Sequence, residues 1–232
     1  KKTILCNEHG YNETYESDRY GFNNPDSEWN KNSIDFLLIG DSFTHGTCVY
    51  RPESIAGLLR KINKTSGVIT LGYMANGPLI EYATLREYLP ITKPKNVIWF
   101  YYENDLWDLK FELKNEILLK YLNQPEFTQN LINKQNQINR LAESQLDYFE
   151  NEYKNSVKNN NNYSIQKFIK LYKLRIFIKS LSNEEMVRKI SPEFKKIIEL
   201  AYNDIKKNNG NLYFVYIPEY KRYKKGLQND YN

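Results

Sequence analysis

Three short stretches carry residue types able to attack an acyl carbon. Gly40-Asp41-Ser42 ends an apolar run, Ile34 to Ile39, and His45 follows three positions after the serine. Gly72-Tyr-Met-Ala-Asn-Gly77 follows a second apolar run, Val68 to Leu71, and its small residues let backbone come close to a ligand. Glu103-Asn104-Asp105 follows a third run, Val97 to Tyr102. Together they offer a hydroxyl nucleophile, backbone N–H donors and a side-chain amide, the parts needed to attack a carbonyl and hold the resulting oxyanion. A helix N-terminus near Ser42 would favour the developing negative charge. Each stretch also has a plainer reading, because Asp41 or Ser42 can cap the next helix and Asn104 can serve as a turn or cap residue. At three successive strand ends, capping alone is a poor account of all of them.

The elements that must position these residues follow from hydrophobic periodicity. The three runs are short and continuously apolar, as strands buried on both faces are. Pro52 to Ile62 lies between the first two, with Ile55, Leu58, Leu59 and Ile62 at helical spacing after a proline start. Pro78 to Leu89 lies between the second and third, is again helical, and is expected to close at Pro90. A helix over about 192 to 208, stopped at Gly210, leads into a fourth strand, Asn211 to Ile217. Alternation of strand and helix predicts an α/β fold, a three-layer α/β/α arrangement around a parallel sheet. In such sheets ligands sit outside the C-terminal ends of the strands, where all three stretches fall.

The remaining segments frame that core within a single domain. Residues 1–33 are polar, without sustained period, and are expected to form an irregular arm, followed by a sheet core over 34–108. The Asn-, Lys- and Leu-rich section 109–190 is expected to be a helical insertion, with helical spacing at Ile165, Phe168, Ile169 and Tyr172 and a break over 155–164. Residues 191–232 then supply the last helix and strand.

Composition narrows the function classes. The 33 basic and 28 acidic residues leave a net charge of only +5. The densest basic run is Lys221 to Lys225, and no regular stripe of Arg and aromatics accompanies it, so nucleic acid is not an expected partner. No stretch of about 18 apolar residues is available to span a membrane. The 20 tyrosines suit core edges and groove linings, where a ring is buried and its hydroxyl stays wet. Cys6 and Cys48 are either ordinary thiols or a pair, and pairing implies an oxidising compartment.

With these residues in view, Ile34 to Asp108 resembles the SGNH (GDSL-type) hydrolase superfamily. Gly40-Asp41-Ser42 matches its first block, and the resemblance implies Ser42 as nucleophile with Asp41 beside it. Tyr102-Glu103-Asn104-Asp105 matches the block usually written Gly-x-Asn-Asp, with Asn104 as oxyanion donor and Tyr102 in place of the leading Gly. Aligning the second block's Asn with Thr70 puts the backbone oxyanion donor at Ala75, where the family carries Gly. Tyr20-Gly-Phe-Asn-Asn-Pro25 resembles an arm found in bacterial members, many of them exported or envelope-associated. The resemblance implies an esterase or acyltransferase acting on a small ester, such as an O-acetyl group on a glycan, with no metal or organic cofactor.

The family's fourth block, Asp-x-x-His, supplies its general base after the final strand. Only His9 and His45 occur in the sequence, and neither follows an Asp at that spacing. The expectation is that the C-terminal part of the domain, with this histidine, lies beyond Asn232. His45 is the nearest substitute, since on a helix it would share a face with Ser42. The alternative from another class is a non-catalytic scaffold of the same fold that binds a glycan or protein partner.

Overall fold

A computed structural model of the chain describes residues 2–6, 13–158 and 191–218. His9, the basic run at 221–225 and the helical spacing at 165–172 lie outside the described residues. The chain divides into two compact units, Lys1–Gln129 with Val187–Asn232, and Asn130–Met186. In the second unit the main described element is a long helix, Gln135–Lys158. The first unit holds the sheet and all three stretches singled out above.

Its elements run in the order β1 (Lys2–Cys6), β2 (Glu13–Glu16), β3 (Ile34–Ile39), α1 (Ser42–His45), α2 (Ile55–Ile62), β4 (Gly67–Thr70), α3 (Pro78–Thr92) and β5 (Asn96–Tyr102). After them come α4 (Asp105–Glu112), α5 (Glu116–Asn123), then α7 (Pro192–Lys207) and β6 (Asn211–Ile217), the long helix of the other unit being α6. The four core strands are parallel in the order β4-β3-β5-β6, with Leu37 beside Ile69 on one side and Val97 on the other. The expected α/β fold, a parallel sheet flanked by helices, is what forms.

Period-two alternation divides the strand residues between two faces. Leu38, Val68 and Phe100 pack with Ala56, Ile55 and Leu59 of α2. On the opposite face Trp99 donates its indole N–H to Glu81 of α3, and α3 packs against α7. Leu37, Ile39, Ile69, Val97 and Trp99 are all essentially inaccessible. Burial on both faces explains the continuous apolar runs.

The N-terminal arm is more ordered than its composition suggests. β1 and β2 pair antiparallel, and a 3₁₀ turn forms over Asp26–Asn30. Its order comes from contacts remote in sequence. The Asn24 amide donates to Thr70 O (2.9 Å) and its oxygen accepts from Thr70 N–H (2.8 Å), as a neighbouring strand would. Glu28 accepts from Val68 N–H, and Arg60 of α2 donates to Val68 O. Side chains thereby satisfy the outer edge of β4, which would otherwise be an open pairing edge. Cys6 and Cys48 form a disulfide that fastens β1 to the loop after α1, with Cα atoms 5.3 Å apart.

Helix ends differ from expectation for identifiable reasons. α2 begins only at Ile55, because Ser54 caps it by accepting from Gly57 N–H, while Arg51–Glu53 forms a separate 3₁₀ turn. α3 does not stop at Pro90 but continues to Thr92, where Lys93 ends it in the left-handed region (φ 38°). A proline this near the C-terminus disturbs only the last turn. After α7 it is Asn209 (φ 60°), not Gly210, that takes the left-handed position. Among the described residues no helix is long and apolar enough to cross a membrane.

Candidate functional site

The strand order puts the three stretches side by side. β3 lies between β4 and β5, so the chain segments carrying Ser42, Ala75 and Asn104 leave one rim from adjacent strands. At this rim the sheet has its switch point between β3 and β5. The connection after β3 leads to β4 on one side, and the connection after β4 crosses to β5 on the other. Tyr73 N–H donates to Gly40 O (3.3 Å), and the Phe43 and Tyr102 rings meet at 4.7 Å, tying the three ends together. Gly40 is required here, because a Cβ would lie 2.8 Å from Phe100 O and its φ is +151°. Gly72 is required too, since a Cβ would run into the backbone of Thr44 and His45.

Ser42 is the first residue of a single helical turn, Ser42–His45. So short a helix brings little macrodipole to the rim, contrary to the expectation from the sequence. Asp41 caps it, accepting Phe43 N–H at 2.9 Å with one carboxylate oxygen. The other oxygen accepts the Ser42 hydroxyl at 3.3 Å. Asp41 is therefore both a cap and the hydroxyl's recorded partner, and burial raises its pKa.

Ala75 sits at the third position of a turn closed by Asn76 N–H to Tyr73 O, with φ at 64°. That left-handed conformation is the one glycine favours, and it leaves the Ala75 N–H outside the turn's own hydrogen bond. Thr70 braces this loop, donating to Thr44 O while accepting Gly72 N–H. Asn104 occupies the N-cap position of α4, yet its side chain makes no capping bond. Its amide instead donates to Asp108 Oδ2 at 3.1 Å. Ser42 lines a cavity of about 390 Å³ with Phe43, Thr47 and Ile55, whereas Ala75 lines a second one of about 410 Å³ with α4 residues.

His45 is neither exposed nor poised as a base. Its ring packs edge-on to Tyr15 and close to Tyr73, and Nδ1 lies 3.3 Å from Thr47 Oγ1. Nε2 is buried and has no hydrogen-bond partner among the described residues, and burial lowers the pKa to about 4. A ring held neutral in this way is a weak proton acceptor.

A belt of carboxyls beneath and beside the rim went unnoticed in the sequence. Asp105 accepts Tyr102 N–H at 2.8 Å with Oδ2, while its Oδ1 is buried with no partner among the described residues. Burial pushes its pKa up to about 8, and the charges of Asp41, Asp108 and Glu112 push the same way. Glu81, fully buried on α3, is raised well above the carboxylate range by burial and by the charge of Asp105. Asp108 and Glu112 are raised by burial as well. The spacing of Asp105, Asp108 and Glu112 was the available signal, since it places all three on one side of α4. Among the described residues no group of three or more His, Cys, Asp or Glu side chains is arranged to hold a metal ion. No family model, curated protein or solved structure matches the chain.

Proposed function

We propose that this chain is a serine esterase or acyltransferase of SGNH (GDSL) type, acting on a small ester such as an O-acetyl group on a glycan. The observation that carries the reading is the departure of Ser42, a left-handed Ala75 and Asn104 from three adjacent parallel strands at one rim. Ser42 Oγ attacks the acyl carbon, and the electron pair of the C=O bond moves onto oxygen. Ala75 N–H and the Asn104 amide donate to that oxyanion; Asp108 fixes the amide by accepting one of its two N–H groups. Asp41 Oδ2 accepts the Ser42 proton during the attack and returns it to the departing alkoxide as the intermediate collapses. The neutral alcohol is released, and an acyl-Ser42 ester is left for water or an acceptor hydroxyl to attack in turn. Asp41 holds the attacking hydroxyl and is the acceptor nearest its proton. The buried His45, with a pKa of about 4, serves packing in this scheme.

The second reading is a binding scaffold without turnover. Two observations favour it: the Asn104 amide is already engaged by Asp108, and the buried His45, its pKa lowered to about 4, is a weak base. Hydrolysis of p-nitrophenyl acetate separates the two. The esterase reading expects turnover that falls at least 100-fold in Ser42→Ala, and equal rates for the two proteins would leave the scaffold.

A further inference from the structure

The Ala75 cavity has features that neither core packing nor the chemistry at Ser42 explains. At about 410 Å³ it lies in the usual range for small-molecule sites. α4 buries Leu106 and Leu109 but leaves Trp107 and Phe111 about half exposed, at 45% and 51%. These two rings, four residues apart on α4, meet edge to face at 4.5 Å and line the cavity. The Lys114 ammonium lies 5.1 Å from the Phe111 ring centre, which leaves the Trp107 indole as the open platform.

The polar lining is fixed in place. Glu112 accepts Gly77 N–H (2.7 Å) and Leu79 N–H (2.9 Å), so its carboxylate cannot swing away. Asp108 is held by the Asn104 amide. Asn115 commits its oxygen to Ile117 and Leu118 N–H, which leaves its NH₂ as a donor. The cavity thus offers an exposed indole, two carboxyls and an amide donor, and among the described residues that line it none is cationic, the Lys114 ammonium lying over Phe111 beside it.

We infer that this cavity is a subsite for a neutral carbohydrate ring, seated on Trp107 and hydrogen-bonded by Asp108, Glu112 and Asn115. A pyranose has an apolar C–H face that suits an exposed indole, and edge hydroxyls that donate to carboxylates and accept from an amide. An alkyl chain would instead desolvate two carboxyls and give them nothing in return. An anionic ligand would meet like charge. The inference rests on the esterase reading in one respect: Ala75 borders this cavity and in that reading supplies the oxyanion donor, and in a small acyl ester of a sugar the ring is the alcohol part.

Isothermal titration calorimetry with chitotetraose, cellotetraose and xylotetraose tests the subsite, with tetragalacturonate and decanoate as the charged and alkyl probes. At least one neutral tetrasaccharide is expected to bind, and Trp107→Ala and Phe111→Leu to weaken it at least 10-fold and several-fold, respectively. Ile62→Ser, at an exposed position on α2, serves as the control and should bind like the wild type. Circular dichroism confirms that each variant is folded. The inference is overturned if no neutral tetrasaccharide binds, if Trp107→Ala binds undiminished, or if decanoate or tetragalacturonate binds more tightly than the sugars. Sugar binding without Ser42-dependent ester hydrolysis would keep the subsite and remove the esterase; hydrolysis without sugar binding would do the reverse.

Discussion

Replacing Asp105 by Asn should change how stability depends on pH, and the structure sets the size and sign of the effect. Asp105 is fully buried, with one carboxyl oxygen unpartnered among the described residues, and its pKa is pushed up to about 8. In the unfolded chain an aspartate titrates near ~3.9. Between those values the native state retains a proton that the unfolded state has released. Stability therefore falls as pH rises, by about 1.4 kcal/mol per pH unit for one retained proton. This group's contribution is complete below the unfolded value and is lost as pH rises through the folded one. Across roughly four pH units the loss is on the order of 5 kcal/mol, a large share of a domain's total stability. Asn keeps an oxygen for Tyr102 N–H and cannot ionise. Urea unfolding at intervals from pH 4 to 8 should show Asp105→Asn nearly matching the wild type at pH 4 and clearly exceeding it at pH 8. Any slope that remains belongs to Glu81 together with Asp41, Asp108 and Glu112, all of which burial also raises above their ordinary range. Identical pH slopes for variant and wild type would refute the argument that Asp105 is buried in its protonated form.

Two further predictions concern the arm. Reducing the Cys6–Cys48 disulfide, which spans 42 positions, should lower stability by about 4 kcal/mol in the chain-entropy model, read as a shift in the denaturant midpoint. Asn24→Ala should cost about 2–4 kcal/mol, because it leaves buried backbone groups of Thr70 without their partner and removes the acceptor for Arg60; fast hydrogen exchange at the Thr70 amide would report the opened β4 edge.

The core was legible because its signals are local. Continuous apolar runs placed β3, β4 and β5 within a residue of their observed limits, and the alternation of strands with helices implied a parallel sheet. Gly40-Asp41-Ser42 and Asn104-Asp105 could be placed at strand ends because each directly follows such a run. The arm was illegible because its order is borrowed. Asn24 and Glu28 act as a surrogate strand only when β4 lies beside them, and no local period records that. The α4 carboxyls Asp105, Asp108 and Glu112 carry a local spacing signal, but Glu81 comes from a different helix and joins them only once α3 and α4 pack. His45 looked available from its spacing to Ser42, but burial between Tyr15 and Tyr73 depends on the folded arm and the β4 loop.

Covalent trapping tests most directly the proposal that Ser42 is a nucleophile with Ala75 N–H and the Asn104 amide as its oxyanion donors. Incubation with a fluorophosphonate, followed by intact-mass and peptide mass spectrometry, should add one phosphonyl group per chain on the peptide bearing Ser42. Ser42→Ala should take up none, and Asn104→Ala should label at least 10-fold more slowly, since the phosphonyl oxygen occupies the oxyanion position. Absence of labelling, or labelling that persists at another residue in Ser42→Ala, would contradict the account.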